Sequence, residues 1–169
     1  MRWLVFIPAL LWMTGAAADG AHPRLDLHYS PAENLEAIDV DTIDAAGETL
    51  DIAAYVLTDV PVIEAMTNAA QRGVKLRIFR EPSQEARGAA VTTALAALLA
   101  QPTVEVKFNT RGVWMHLKAY AVDAKTLRFG AANLSASGLK RQDNDLLLTD
   151  DPELVMAFEI EFETLWSRK

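Results

Sequence analysis

Short apolar segments alternate with capped, amphipathic segments, and this alternation limits the possible folds more than any other feature of the sequence. Residues 49–57 (TLDIAAYVL) are apolar enough to predict a central strand. Asp59 is placed to cap a helix over residues 61–72, Gly73 is placed to end it, and residues 74–79 again resemble a strand. A strand, a helix and a second strand in succession are typical of α/β domains, in which helices cover a sheet.

The same alternation continues before and after this unit. Ser30 and Glu33 have the spacing of a capping box, so we expect Ser30 to begin the first helix, and Asp151 is placed to cap the last one. We find no repeat and no interdomain linker. The sequence therefore predicts one α/β domain with a mixed, mostly parallel sheet and helices on both faces. Further strands are expected over residues 24–29, 103–108, 126–131 and 144–149, and an alanine-rich helix is expected to end at Ala100.

The first 18 residues have a different character from the rest. Arg2 precedes an apolar run over residues 3–13, and small residues follow as far as Ala18, which is the pattern of a cleavable secretory signal peptide. An uncleaved anchor is the alternative, but the run is short against the ~20 apolar residues of a spanning helix. We therefore predict a signal peptide over residues 1–18, a mature domain over residues 19–169, and a periplasmic or secreted location in a bacterium. The chain contains no cysteine, so the mature domain cannot use disulfides.

The side chains best suited to chemistry begin with His116, Lys118 and Asp123, which are spaced as H-x-K-x-x-x-x-D. They lie on an apolar and aromatic run that we expect to be a strand. Side chains alternate between the two faces of a strand, so His116 and Lys118 project together. Asp123 lies an odd number of residues from His116 and would face the other way, so we expect it to be structural.

A second polar cluster follows a predicted hairpin at residues 123–125 and reads GAANLS at residues 130–135. The hairpin would return Asn133 toward His116 and Lys118. These three side chains suit a phosphate group: the ammonium supplies a charge, the carboxamide a neutral donor, and the imidazole a nucleophile or proton carrier.

The H-x-K-x-x-x-x-D spacing followed by G-x-x-N resembles the phospholipase D superfamily, whose motif continues as G-S-x-N. The segments YSPAENLEAI, LDIAAYVLTD and AAQRGVKLRIF also resemble the upstream segments of its small, single-motif branch, which includes bacterial periplasmic endonucleases and mitochondrial-surface members. The resemblance implies that His116, Lys118 and Asn133 are catalytic, with a phosphohistidine at His116, and that Asp123 supports the motif. Because the chain has one motif, it also implies a homodimer in which a second copy supplies the other histidine.

The chain departs from the family pattern at two places. Ala131 stands where the family usually has serine, which removes one hydroxyl donor to a phosphate. Asn144, followed by Asp145, stands where many members have a glutamate that orients the histidine. Only one of these two neighbours can face the site on an extended strand. Asn144 could accept the imidazole N–H through its carbonyl oxygen, without a carboxylate's stabilisation of an imidazolium.

Several other residues have both a functional and a structural interpretation. Ser135 is expected to lie in a loop or to cap a helix. Trp114 could line the entrance to a substrate site or pack in the core. Lys140 and Arg141 could contact substrate phosphates or lie on the solvated surface. Three dispersed histidines, two of them outside the motif, give no spacing typical of a metal site, so we predict no metal and no cofactor.

Charge favours a phospholipid over a nucleic acid as the substrate. The formal net charge is −7, whereas nucleic-acid binding normally goes with a basic domain. Residues 111–141 carry a local excess of lysine and arginine that would attract a single phosphodiester. We therefore predict an exported phospholipase D-type phosphodiesterase that favours phospholipid. The alternatives are a non-specific endonuclease of the same family and a catalytically weak phosphate- or membrane-binding module.

Overall fold

A computed structural model describes residues 22–84 and 88–168, so the predicted signal peptide lies outside the described residues. Within this range, helices and strands alternate as the sequence predicts. Asp59 and Asp151 cap their helices: Asp59 accepts the backbone N–H of Val62, and Asp151 accepts those of Glu153 and Leu154. The elements are β1 (Leu25–Ser30), α1 (Leu35–Asp44), β2 (Thr49–Ala54), α2 (Val60–Gln71), β3 (Lys75–Arg80), α3 (Ala89–Leu99), β4 (Val104–Phe108), β5 (Lys118–Val122), β6 (Thr126–Phe129), α4 (Ala136–Lys140), β7 (Asn144–Thr149) and α5 (Pro152–Trp166).

The first helix begins later than predicted. Asn34, not Ser30, caps α1, because Ser30 is the last residue of β1 and its hydroxyl donates to the carbonyl of Gln142. Glu33 turns back instead of closing a capping box, and its carboxylate accepts from the Tyr29 backbone N–H at 3.0 Å and contacts the His28 ring at 2.8 Å.

Seven strands form one mixed sheet in the order β1-β7-β6-β5-β2-β3-β4. Only the β2–β3 and β3–β4 pairs are parallel, whereas β1–β7, β7–β6, β6–β5 and β5–β2 are antiparallel. The prediction of a mixed sheet is confirmed, but the expectation that parallel pairs would predominate is wrong. The hairpin and the return of β7 supply antiparallel neighbours that periodicity cannot reveal.

Helices cover both faces of the sheet. One apolar core lies between the sheet and α1, α2, α3 and α4, and it includes Leu35, Ile52, Met66 and Leu98. A smaller core on the other face packs Phe158 and Phe162 of α5 against β2, β3, β5 and β6. Both faces are therefore occupied, and the ends of the central strands are left to carry a site.

The β5–β6 hairpin turns through Asp123 and Ala124, whose φ angles are 53° and 49°. The Asp123 carboxylate accepts the backbone N–H groups of Gly47, Glu48 and Thr49 at 3.0, 2.7 and 2.9 Å. Partial burial acts to raise the pKa of Asp123, but these three donors outweigh it and lower the pKa. Asp123 thus fastens the hairpin to the start of β2, at the end of β5 opposite to His116.

Replacing Glu159 with glutamine is expected to flatten the pH dependence of stability. Burial and then repulsion by Asp51 raise the pKa of Glu159 from 4.5 to about 7. The folded state therefore holds this proton more tightly than the unfolded state does, so the stabilisation is full below the unfolded pKa and is lost as the pH rises through about 7. At pH 8 the Glu159→Gln protein should melt at a higher temperature than wild type, and near pH 4 at the same temperature. Thermal melting recorded by circular dichroism tests this, and identical curves for the two proteins at pH 8 would contradict it.

Candidate active site

His116 and Lys118 lie where the central strand β5 begins. His116 precedes β5 and is exposed, whereas Lys118 is the first residue of β5 and is buried. The Lys118 side chain turns back, so that Nζ lies 2.7 Å from His116 Nδ1 and 2.7 Å from the His116 carbonyl oxygen. Nζ also lies 3.3 Å from His116 Nε2, so the ammonium lies against both nitrogens of the ring. Burial lowers the pKa of the Lys118 ammonium, because the loss of water disfavours its charge.

Tyr55 belongs to the site, although the sequence analysis did not single it out. Its ring centroid lies 4.1 Å from that of His116, and the Lys118 Nζ lies 4.9 Å from the Tyr55 ring centroid. The Tyr55 backbone N–H donates to the Leu117 carbonyl at 2.8 Å, which ties the end of β2 to the motif. The ring therefore supports the imidazole and stabilises the ammonium. The available signal was a tyrosine directly after a buried strand, where site residues are common.

A cavity of about 570 Å³ opens beside His116 and Lys118 and is also lined by Asn133. The Asn133 Oδ1 atom is buried and has no hydrogen-bond partner within the described part of the chain. An unpaired buried acceptor is unfavourable until a donor reaches it, so this carboxamide is not committed to the scaffold. The structure thus brings an imidazole, an ammonium and a carboxamide to one cavity.

The loop between β6 and Asn133 packs closely against β7. Gly130 has a φ of +145°, and a Cβ atom there would lie 2.7 Å from the Asp145 carbonyl oxygen, so glycine is required. The Ala131 N–H donates to the Asp145 carboxylate at 2.6 Å. Of the two neighbours on β7, Asp145 therefore holds the loop that lines the cavity.

Asn144 uses its side-chain nitrogen to contact α4. Its side-chain amide donates to the Gly138 carbonyl of α4 at 2.9 Å and to the Gln142 side chain at 3.3 Å. The end of α4 presents carbonyl groups that need donors, and Asn144 supplies one. The side-chain nitrogen of Asn144 thus caps α4, and the role of its carbonyl oxygen as an acceptor of the imidazole N–H stays a prediction.

Three of the other predicted residues lie on or beside α4, outside the lining of the cavity. The Ser135 hydroxyl accepts the Gly138 N–H at 3.1 Å and so caps α4. The Lys140 ammonium pairs with Glu36 of α1, and Arg141 is exposed at the end of α4. Lys140 is therefore engaged with the scaffold and does not face the cavity.

The loop before His116 carries exposed apolar side chains. Val113 is 76% and Trp114 66% exposed, whereas Met115 is buried in the core. The buried side chains of Asn109 and Glu81 brace this loop: Asn109 Nδ2 donates to the Val113 carbonyl at 2.8 Å, and Glu81 accepts the Met115 N–H at 3.0 Å. Trp114 is therefore mostly exposed, with its ring centroid 6.3 Å from that of Tyr55, and it is not a core residue.

Neither a metal cluster nor a membrane-spanning helix is found over residues 22–84 and 88–168. Within that range, no three histidine, cysteine, aspartate or glutamate side chains are grouped to hold a metal ion. No helix there combines the length and the apolar character needed to span a bilayer.

Several known proteins resemble this chain. A mitochondrial cardiolipin hydrolase of Chlamydomonas reinhardtii is 22% identical over 87% of this chain and 64% of its own length. A phospholipase D of Rickettsia prowazekii is 27% identical over 83% of this chain and 65% of its own length. The human mitochondrial cardiolipin hydrolase is 26% identical over 73% of this chain and 48% of its own length. The chain thus spans about half to two thirds of the length of these relatives.

Solved structures share the fold. Nuc from Salmonella typhimurium, described as a phospholipase D family member, superposes with a TM-score of 0.77 at 21% identity and covers 85% of this chain and 94% of Nuc. NucT from Helicobacter pylori gives a TM-score of 0.74 at 23% identity and covers 85% of this chain and 96% of NucT. A family model described as the cardiolipin synthase, phospholipase D-like domain matches residues 40–166. Since this match covers well over half of the chain, the chain belongs to the phospholipase D-like family.

Proposed function

We propose that the chain is a phosphodiesterase of the phospholipase D type, with His116 as its nucleophile. The observation that carries this proposal is the 2.7 Å contact between Lys118 Nζ and His116 Nδ1 beside a cavity that Asn133 also lines. An exposed imidazole with an unprotonated nitrogen is able to attack phosphorus, and a neighbouring ammonium is able to hold the phosphate oxygens.

In the proposed reaction the substrate phosphate draws the Lys118 ammonium away from the imidazole and leaves a ring nitrogen with a free lone pair. That nitrogen attacks phosphorus, a P–N bond forms, and the P–O bond to the leaving alcohol breaks. A second imidazole gives its proton to the leaving oxygen. The same imidazole then takes a proton from a water molecule, which attacks the phosphohistidine, releases the phosphate monoester and restores His116. The Lys118 ammonium and the side-chain N–H groups of Asn133 donate to the non-bridging oxygens throughout.

The second imidazole is proposed to come from another copy of the chain across a two-fold axis. His28 contacts Glu33, next to β1, and it is therefore already engaged. Light scattering of the mature chain should give the mass of a dimer under conditions of full activity. Each composite site needs two His116 side chains, so subunit exchange with His116→Ala chains should suppress wild-type activity. A fully active monomer would rule out the shared site.

Phospholipid is the substrate class that the charges of the described residues favour. The basic surface expected over residues 111–141 is smaller than its sequence suggested. Arg128 is fully buried with Asp39, Lys140 pairs with Glu36, and Lys125 follows Asp123 at the far end of β5. Few cations remain to follow a nucleic-acid backbone, while exposed Val113 and Trp114 on the loop before His116 suit a lipid surface.

Side-by-side assays should decide between phospholipid and nucleic acid. We expect hydrolysis of phosphatidylglycerol or phosphatidylcholine micelles to exceed cleavage of single- and double-stranded DNA at about 0.15 M salt, with the same rate in excess EDTA. Efficient DNA cleavage with intact lipid would establish the alternative, an endonuclease whose open cavity accepts a nucleic-acid diester. Absence of turnover on bis(p-nitrophenyl) phosphate as well would favour the phosphate- or membrane-binding module.

The proposed location is the periplasm or the cell exterior, after removal of residues 1–18. The support is the charged start, the apolar run and the small residues before Asp19. Mass spectrometry of the protein expressed in a Gram-negative host with its natural start should find a chain beginning at Asp19 in the periplasmic fraction. A full-length chain in the membrane fraction would show an anchor instead.

A further inference from the structure

A buried ion pair contacts the backbone of Lys118, which lines the cavity, and has no part in the proposed chemistry. Asp39 of α1 and Arg128 of β6 both have 0% side-chain exposure. Arg128 Nε donates to Asp39 Oδ1 at 2.9 Å, and Nη2 donates to Oδ2 at 3.1 Å, so the pair is bidentate. The Tyr120 hydroxyl donates to the same carboxylate at 2.8 Å. Burying two charges is costly, and such a pair is often no more stabilising than an apolar replacement. Stability alone is therefore a weak explanation for it.

The remaining donors of Arg128 point to the two segments that supply the site. Arg128 Nη1 donates to the Lys118 carbonyl at 2.9 Å and to the Ala132 carbonyl at 3.2 Å. Lys118 carries the ammonium beside His116, and the Ala132 carbonyl belongs to the peptide bond that leads into Asn133. One guanidinium thus holds the backbones of both phosphate-facing residues.

The sheet itself does not connect these two segments. The β5–β6 pairing runs from Val122↔Thr126 to Tyr120↔Arg128, so Lys118 lies beyond the end of this ladder. The chain after Phe129 leaves β6 through Gly130 and bonds to β7, where the Ala132 N–H donates to the Asp145 carbonyl. Arg128 lies at the point where β5 and β6 separate. Its planar guanidinium takes the place of the backbone hydrogen bonds that the two strands no longer make there.

We propose that Arg128, fixed by Asp39, is a positioning residue that sets the separation of Lys118 and Asn133 and thereby the fit of the phosphate between them. This inference rests on the proposed function for its assay but concerns a different part of the molecule. We call the Asp39–Arg128 pair the clamp. Misplacement of a binding group by about 1 Å can cost about 100-fold in rate, so a change in the clamp should be visible in kcat.

The test replaces the whole pair, because removal of one partner would leave a buried charge. Asp39→Leu with Arg128→Met keeps the volume apolar and is expected to fold. It should lower kcat on bis(p-nitrophenyl) phosphate by about 100-fold and weaken competitive inhibition by vanadate. Arg128→Lys is the second variant: it keeps the charge opposite Asp39, and so the fold, but loses the planar fork, and kcat should again fall.

Asp51 and Arg77 provide a matched control. This pair is also bidentate and joins β2 to β3, but Arg77 donates to Asp51 and Glu163, neither of which lines the cavity. Asp51→Leu with Arg77→Met should change the melting temperature while leaving kcat and vanadate inhibition within about twofold of wild type, as expected for an independent site.

Each outcome decides the matter. Loss of kcat in both clamp variants but not in the control supports the inference. Wild-type kcat in the folded clamp variants overturns it. The inference is also overturned if the control loses as much kcat as the clamp variants do for the same fall in melting temperature. If wild type binds vanadate, measured by calorimetry, without turning over any diester, the proposed function fails, and weaker vanadate binding by the clamp variants still supports the positioning role. A wild type that neither turns over nor binds vanadate overturns both.

Discussion

Replacing His116 with alanine is expected to abolish phosphodiester hydrolysis while leaving the fold intact. The imidazole is the proposed nucleophile, and no covalent intermediate forms without it, so turnover should fall by at least about 10³-fold. The ring is exposed and packs mainly on Tyr55, so its loss should change the melting temperature little. Steady-state turnover of bis(p-nitrophenyl) phosphate and thermal unfolding measure the two effects separately.

His28→Ala is the control, because it removes the imidazole that contacts Glu33 and lies on β1. It should keep wild-type turnover. Retention of more than a few per cent of wild-type turnover by His116→Ala, at equal folded fraction, would remove His116 from the nucleophilic role. Wild-type enzyme quenched during turnover of a ³²P-labelled diester should carry acid-labile, base-stable label, and His116→Ala should not.

Replacing Lys118 with methionine should cost nearly as much activity without loss of stability. The ammonium is the proposed charge on the non-bridging oxygens, and removing one such donor typically lowers kcat by about 10²–10³-fold. Burial lowers the pKa of Lys118, which means that the folded state disfavours its charge. A methionine of similar length avoids this cost, so the melting temperature should stay equal or rise. Measurement of kcat, KM and thermal unfolding on one preparation gives all three quantities.

Lys125→Met is the control, since it removes a lysine from the hairpin at the far end of β5. Its turnover should match wild type. A Lys118→Met protein that keeps kcat but has a raised KM would show that Lys118 binds substrate and transition state equally. That result would contradict the assignment of Lys118 to transition-state stabilisation.

Local patterns predicted the elements of the fold but not all their boundaries or neighbours. Asp59 and Asp151 were identifiable as caps because a helix N-terminus is a local feature. Ser30 was assigned wrongly because its hydroxyl bonds to Gln142, a contact over more than a hundred residues. The proportion of antiparallel pairs was missed for the same reason, since strand order depends on distant segments.

The site was predicted in part because its spacing is local. The alternation of side chains along a strand predicted that His116 and Lys118 project together and that Asp123 faces the other way. In the structure β5 begins only at Lys118, whose side chain turns back to His116, and Asp123 lies in the hairpin turn at the far end. Tyr55 reaches the site from β2, so motif spacing could not identify it. Arg128 resembled part of a basic surface in the sequence, because nothing local shows that Asp39 neutralises it in the core.

The pairing of β1 with β7 sets the order in which the fold can be completed during synthesis. Leu25 lies opposite Thr149 and Ser30 opposite Asn144, so the first of the described strands to be synthesised pairs with the last of them. A nascent chain stopped at residue 143 should therefore have an N-terminal segment open to protease, which pulse proteolysis of stalled chains can measure. Until β7 has been synthesised, β1 has no neighbouring strand and the sheet is incomplete.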